Sequence, residues 1–162
     1  MSVALLFIFA LSADQLTKYA VRESMSLGQS IPVLGDFFRL TYVENPGIAF
    51  GINIGNGTIF TILSLIASLG IVVYLFTHWH EANGMKNGLA LILGGAFGNL
   101  VDRILHGRVV DFIEVGIRQY KWPVFNIADA AVVIGMILIF YTVFKSEQEA
   151  KKLESENSSA GD

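Results

Sequence analysis

The chain has 162 residues, 53% of them hydrophobic and 15% charged, with a formal net charge of −3 and a mean hydropathy of +0.56. That balance is too apolar for a soluble domain and indicates an integral membrane protein. An acidic chain with no dense Lys/Arg cluster excludes a phosphate-neutralising nucleic-acid surface, and the absence of cysteine excludes a disulfide framework, a thiol nucleophile and a thiolate metal site.

In chain order, the first apolar segment runs from about residue 2 to 19 and meets Asp14 near its end. It has no basic leading region and runs into Ser12-Ala13-Asp14-Gln15, so it reads as a retained span, not a cleaved signal. The connection that follows, roughly residues 20–57, contains Phe37-Phe38-Arg39-Leu40-Thr41-Tyr42-Val43 after Pro32 and a Gly35-Asp36 turn signal, which predicts a small β element. Gly47-Ile48-Ala49-Phe50-Gly51 and Gly55-Asn56-Gly57 are apolar and glycine-punctuated, as suits an interfacial flap. No charged residue occurs between Glu44 and Glu81, and the second span is placed at 58–77.

The third span, 87–105, has 15 uncharged residues before Asp102, and the fourth, 127–144, has 15 after Asp129. Fifteen residues reach only about 22 Å, short of a roughly 30 Å hydrocarbon layer, so both spans must include their Asp at a wet or protein-buried end. Between them, Val109-Val110-Asp111-Phe112-Ile113-Glu114-Val115, a polar turn and Trp122-Pro123 predict a strand or hairpin, with Phe112, Tyr120 and Trp122 as candidates for an aromatic interface belt. Residues 146–162, rich in Ser, Glu and Lys, read as a disordered tail, leaving residues 1–145 as one membrane-embedded domain. With four spans, all the interrupting acids and both long connections share one face.

Ionisable groups at membrane depth cost at least a few kcal/mol each, which makes Asp14, Lys18, Asp102, Arg103, Asp111 and Asp129 candidates for function. Each also has a structural explanation. Asp14 and Lys18 stand at i,i+4 and suit an ion pair, Asp102-Arg103 suits a pair closing the third span, and Asp129, three residues after Asn126, suits an acid at the third position of a capped helix. Asp111 alone stands among Val, Val, Phe and Ile with no adjacent cation on its own face. Two carboxylates meeting at a partly dry site share a proton, so one activates water while the other polarises a carbonyl. A proton-coupled carrier relaying through Asp14, Asp102 and Asp129, or a non-catalytic subunit, are the rival readings. His78-Trp79-His80 reads as an interfacial cap, since i,i+2 spacing does not make a helical metal site.

Five runs then match a known pattern in order: Ala13-Asp14-Gln15-Leu16-Thr17-Lys18, Tyr42-Val43-Glu44-Asn45-Pro46-Gly47-Ile48-Ala49-Phe50, Gly94-Gly95-Ala96-Phe97-Gly98-Asn99-Leu100-Val101-Asp102-Arg103, Val109-Val110-Asp111-Phe112 and Phe125-Asn126-Ile127-Ala128-Asp129. Together they resemble the signature blocks of the lipoprotein signal peptidase (signal peptidase II) family. The resemblance implies a mainly α, polytopic membrane protein with four transmembrane helices, an extracytoplasmic β-cradle over residues 29–45, and an interfacial helix and flap over 46–57. It implies an aspartic endopeptidase of the bacterial inner membrane that cuts prolipoproteins before a diacylglyceryl-modified cysteine, with Asp111 and Asp129 as the dyad. Asp14, Asn45, Asn99, Asp102, Arg103 and Asn126 are implied as supporting or lining residues, and Gly47, Ile48 and Phe50 as flap. The expected partners are the diacylglyceryl prolipoprotein and membrane lipid, with no nucleic acid, cofactor or metal, and the chain is expected to act as a monomer. The cation count, seven on the acid-bearing face against four on the other, by itself points that face to the cytoplasm, whereas the resemblance points it outward.

Overall fold

The computed structural model describes residues 2–49, 52–53, 58–78, 80 and 83–159. Helix α1, Val3–Ser24, starts at Ser2, whose Oγ accepts from Leu5 N–H at 3.2 Å, and stops where Met25 turns extended. It runs five residues past the expected end at 19. Helix α2 spans Thr58–Thr77, α3 Asn83–His106 and α4 Ile127–Ser159. Among the described residues three helical stretches are long and apolar enough to cross a membrane: Val3–Ser24, Asn83–His106 and Ile127–Glu154. Thr61–Thr77 forms a shorter apolar helix. Leu5, Ile8 and Phe9 on α1, Ile62 and Leu65 on α2, and Ile137 and Phe140 on α4 are all exposed, as lipid-facing residues are.

The buried stripe of α1 is Ala10, Asp14, Lys18 and Val21, at helical spacing. Helix α3 is central and packs on α1, α2 and α4. Its Gly94-Gly95-Ala96-Phe97-Gly98 run explains how three helices approach so closely. A Cβ on Gly94 would lie 2.8 Å from that of Ala10 on α1, one on Gly95 would collide with the Ala128 carbonyl oxygen on α4, and one on Gly98 would collide with the Asp14 carboxylate.

Strands β1 (Ser30–Leu34), β2 (Phe38–Asn45), β5 (Val109–Ile117) and β6 (Tyr120–Lys121) form an antiparallel sheet in the order β1-β2-β5-β6. The register pairs Leu40 with Ile113 and Val43 with Asp111, with a bulge between. One sheet face packs Tyr42, Val110 and Phe112 against Val21 of α1 and Met25 just past its end, fixing the sheet over one end of the bundle. Phe112 is therefore core, not an aromatic-belt residue, while Tyr120 and Trp122 are exposed as that belt requires. Glu114 accepts from both Thr41 Oγ1 and Lys121 Nζ, clipping the β5–β6 hairpin, and these two donors hold its carboxyl below its usual range.

Two other expectations change. Within 46–57, Ile48–Ala49 (β3) and Ile52–Asn53 (β4) pair as a minimal hairpin where a short helix was implied. Phe50, Gly51 and residues 54–57 lie outside the described residues. Residues 146–159, expected as disordered tail, instead continue α4 as helix. Once a span has nucleated a helix, each further residue needs no new nucleus, and Glu, Gln, Lys and Ala all propagate well; Lys145 and Glu149 add an i,i+4 pair at 3.7 Å.

Candidate active site

Strand β5 turns Val110 and Phe112 toward α1, so alternation sends Asp111 to the opposite face, where it is buried with 4% exposure. Asp129 sits in the first turn of α4. Asn126 Oδ1 accepts from Asp129 N–H at 3.0 Å and Asp129 Oδ2 accepts from Asn126 N–H at 3.2 Å, a reciprocal capping box. The capping reading and the functional reading of Asp129 are thus compatible, because its other oxygen points elsewhere: Oδ1 accepts from Asn99 Nδ2 at 2.8 Å.

Asp111 is met by two amides. Asn126 Nδ2 donates to its Oδ1 at 2.7 Å and Asn45 Nδ2 to its Oδ2 at 3.1 Å. Asn45 is itself braced, since its Oδ1 accepts from Gly47 N–H at 2.9 Å, and Gly47 makes that turn at φ 112°, where a side chain would be strained. Asn126 Nδ2 also lies 3.0 Å from Asn99 Oδ1, so the amides of Asn99 and Asn126 link the two acids. Burial, then the negative charge of Asp129, push the Asp111 carboxyl up to about 7, against the pull of the Asn45 donor.

Asp111, Asp129, Asn45 and Arg103 form the polar end of a cavity of about 650 Å³, with Gly47 at its edge; Trp122, Pro123, Phe125, Val132, Val133 and Ile134 line the apolar remainder. Behind it lies a charged layer whose Asp14, Lys18 and Asp102 are fully buried and whose Arg22 is partly exposed. Asp14 and Lys18 pair at 2.8 Å, Lys18 reaches Asp102 at 3.2 Å, and Asp102 also pairs with Arg22 at 2.8 Å. Asp14 further accepts from Ala128 N–H at 2.9 Å and from Gln15 Nε2 at 3.1 Å.

The sequence residues therefore divide into three groups. Asp111, Asp129, Asn45, Arg103 and Gly47 meet at the cavity, Asn99 and Asn126 support them from behind, and Asp14 and Asp102 stand deeper. The Ile48 side chain and Phe50 lie outside the described residues. The expected Asp102–Arg103 ion pair is not the arrangement found. Successive helical positions point about 100° apart, so Asp102 turns inward to Lys18 and Arg22 while Arg103 turns to the cavity, its charge interacting first with Asp129 and then with Asp111. The Asp14–Lys18 pair is found as the spacing indicated. Missed from sequence were Arg22 as the partner of Asp102, Gln15, and the bond from Lys18 to Asn99, none of which local spacing signals. Among the described residues no three His, Cys, Asp or Glu side chains gather as a metal site.

The architecture, a mainly helical bundle with candidate spans and a small antiparallel sheet over a polar cavity, is that of a multi-pass membrane enzyme. It is similar to a bacterial membrane enzyme solved by the in meso method at 2.3 Å, with a TM-score of 0.82 and 36% identity over 91% of this chain and 90% of the other. The sequence is 43% identical over 141 residues to the lipoprotein signal peptidase of Syntrophus aciditrophicus, covering 84% of this chain and 88% of that protein. It is 40% identical over 150 residues to that of Bacillus subtilis, covering 93% and 96%. The profile described as "Signal peptidase (SPase) II" matches residues 6–145, and the chain belongs to that family. It is a peptidase that processes the signal peptides of lipoproteins.

Proposed function

We propose that the chain is an aspartic endopeptidase in which Asp111 and Asp129 activate one water, and that it removes the signal peptide of a diacylglyceryl-modified prolipoprotein by cutting before the lipidated cysteine. The observation that carries this reading is that two acids from distant segments line one cavity and are tied together through Asn99 and Asn126.

The two acids differ in a way that assigns roles. We assign the base to Asp129, at the third position of α4, whose Oδ1 accepts from Asn99 Nδ2 and whose Oδ2 accepts from Asn126 N–H. Asp111, buried and pushed up to about 7, holds its proton up to near-neutral pH, and the protonated form gives it to the scissile carbonyl oxygen as Asp129 takes one from water. Arg103, on the cavity wall, supplies positive charge beside the two acids.

In this reading α2 is a fourth span, the sheet and dyad face the extracytoplasmic side of the bacterial inner membrane, and residues 1–145 form one peptidase domain working as a monomer. The apolar cavity wall on α4 continues into exposed Val133 and Ile134, so acyl chains can remain in lipid while the peptide reaches the acids. The test is incubation of purified protein in lipid with a diacylglyceryl prolipoprotein. Signal-peptide release is expected from the unaltered chain and not from Asp111→Asn or Asp129→Asn.

A further inference from the structure

Lys18 has no solvent exposure, and the mechanism just given does not use it. Its ammonium touches three groups: Asp14 at 2.8 Å, Asp102 at 3.2 Å and Asn99 Oδ1 at 2.8 Å. Charge balance accounts for the first two, because Asp14, Lys18, Asp102 and Arg22 make a neutral quartet. The contact that charge balance does not require is the one to Asn99.

An ammonium carries donors and no acceptor, so it can tolerate only the oxygen of the Asn99 amide. That fixes the NH2 on the other side, where it reaches Asp129 Oδ1 at 2.8 Å. The same Asn99 oxygen receives Asn126 Nδ2 at 3.0 Å, and Asn126 Nδ2 serves Asp111 Oδ1 at 2.7 Å. Turned by 180°, the Asn99 amide would face Asp129 with an oxygen and leave a carboxylate against an acceptor.

We infer that Lys18 is a positioning residue for the acid pair: seated on Asn99 Oδ1, it holds that amide in the one orientation that gives N–H to Asp129 and, through Asn126, keeps a donor on Asp111. The inference rests on the dyad reading and adds a residue whose effect passes through another. A purely structural Lys18, there to neutralise Asp14 and Asp102, makes a different forecast.

Lys18→Met removes the donor but strands Asp14. It is therefore paired with Asp14→Asn/Lys18→Met, which removes one charge of each sign, leaves Asp102 with Arg22, and keeps an oxygen at position 14 to accept from Ala128. Asp14→Asn alone is the baseline. With lipidated prolipoprotein as substrate, the double variant is expected to keep its Tm within a few degrees of that baseline and KM within about twofold, while kcat falls at least tenfold. On an Asn99→Ala background, the same change should lower kcat no further, since the group it acts through is gone. A kcat within threefold of baseline, or a loss that multiplies with that of Asn99→Ala, would overturn the inference. Asp111→Asn and Asp129→Asn in the same assay separate the two levels. If they remain active the dyad reading is at fault; if they are inactive while the Lys18 variants turn over normally, only the role of Lys18 fails.

Discussion

Asn126 does three jobs with one side chain: it caps α4 through Oδ1, serves Asp111 through Nδ2 and reaches Asn99. Such density makes single substitutions near the acids informative. If the two acids act as proposed, replacing either by Asn preserves shape while removing one of the two carboxyl groups, so Asp111→Asn and Asp129→Asn should each lower kcat at least about 100-fold, about 2.7 kcal/mol of barrier. The pH dependence follows from Asp111. Between its ordinary 3.8 and about 7 the unfolded chain has released this proton and the folded chain has kept it, so stability falls as pH rises through that window and levels off above it. Asp111→Asn should therefore melt higher than the unaltered chain at pH 8, with the difference shrinking by pH 5, while turnover of the unaltered chain declines above about pH 7. Adjacent Asp102 and Arg103 should separate cleanly in the same measurements. Asp102→Asn, facing Lys18 and Arg22, should cost Tm, whereas Arg103→Ala, on the cavity wall, should cost kcat more than Tm.

Among the elements, the third helix governs the geometry, because its glycines let α1 and α4 close on it and bring Asp14 against Ala128 N–H. Gly95→Val would drive a side chain into the Ala128 carbonyl at the start of α4, and overpacking of this kind costs about 1–3 kcal/mol. A lowered Tm together with lost turnover is expected, measured by thermal unfolding in detergent and by the cleavage assay. Residues 146–154 of α4 are exposed, so a chain ending at Lys145 should cut at the full rate. The sequence made α2 legible to the residue, as Thr58–Thr77, because an uncharged apolar run has only one reading. It located β2 and β5 through their β-branched and aromatic content. The extension of α4 was hidden because polar Glu/Lys/Ser composition is shared by disordered chain and by exposed helix. Within the site, the acids were legible because charge at membrane depth is costly, and the Asp14–Lys18 pair because it is local. The Arg22–Asp102 and Lys18–Asn99 contacts cross between helices, and single-sequence spacing has no access to such pairs.

For the molecule as a whole, the proposed function ties specificity to what faces lipid and what faces the acids. A cavity polar at one end and apolar along α4 suits a substrate presented from the bilayer, whose acyl chains gain little affinity by staying in lipid but set the depth of the scissile bond. Matched prolipoproteins with and without the diacylglyceryl group, compared as initial rates at saturation in one detergent, should differ by at least tenfold in favour of the lipidated form. Equal rates would leave a generic membrane peptidase. Turnover should also be unchanged by a chelator if the proposed pair of carboxylates runs the reaction; loss restored by adding back a divalent cation would overturn that proposal.

The pairing of Asp14 with Lys18 on a single helix has a consequence for biosynthesis. Residues on α1 leave the ribosome long before Asp102 and Asn99 on α3, so for that interval the first helix must carry an acid and a base into the bilayer without its later partners. Placed one turn apart, the two neutralise each other inside the helix that bears them, which lowers the cost of bringing either charge into the bilayer before α3 arrives. Arrival of α3 then converts a self-contained pair into an anchor. The same ammonium that let the first segment enter becomes the point on which the third one locks.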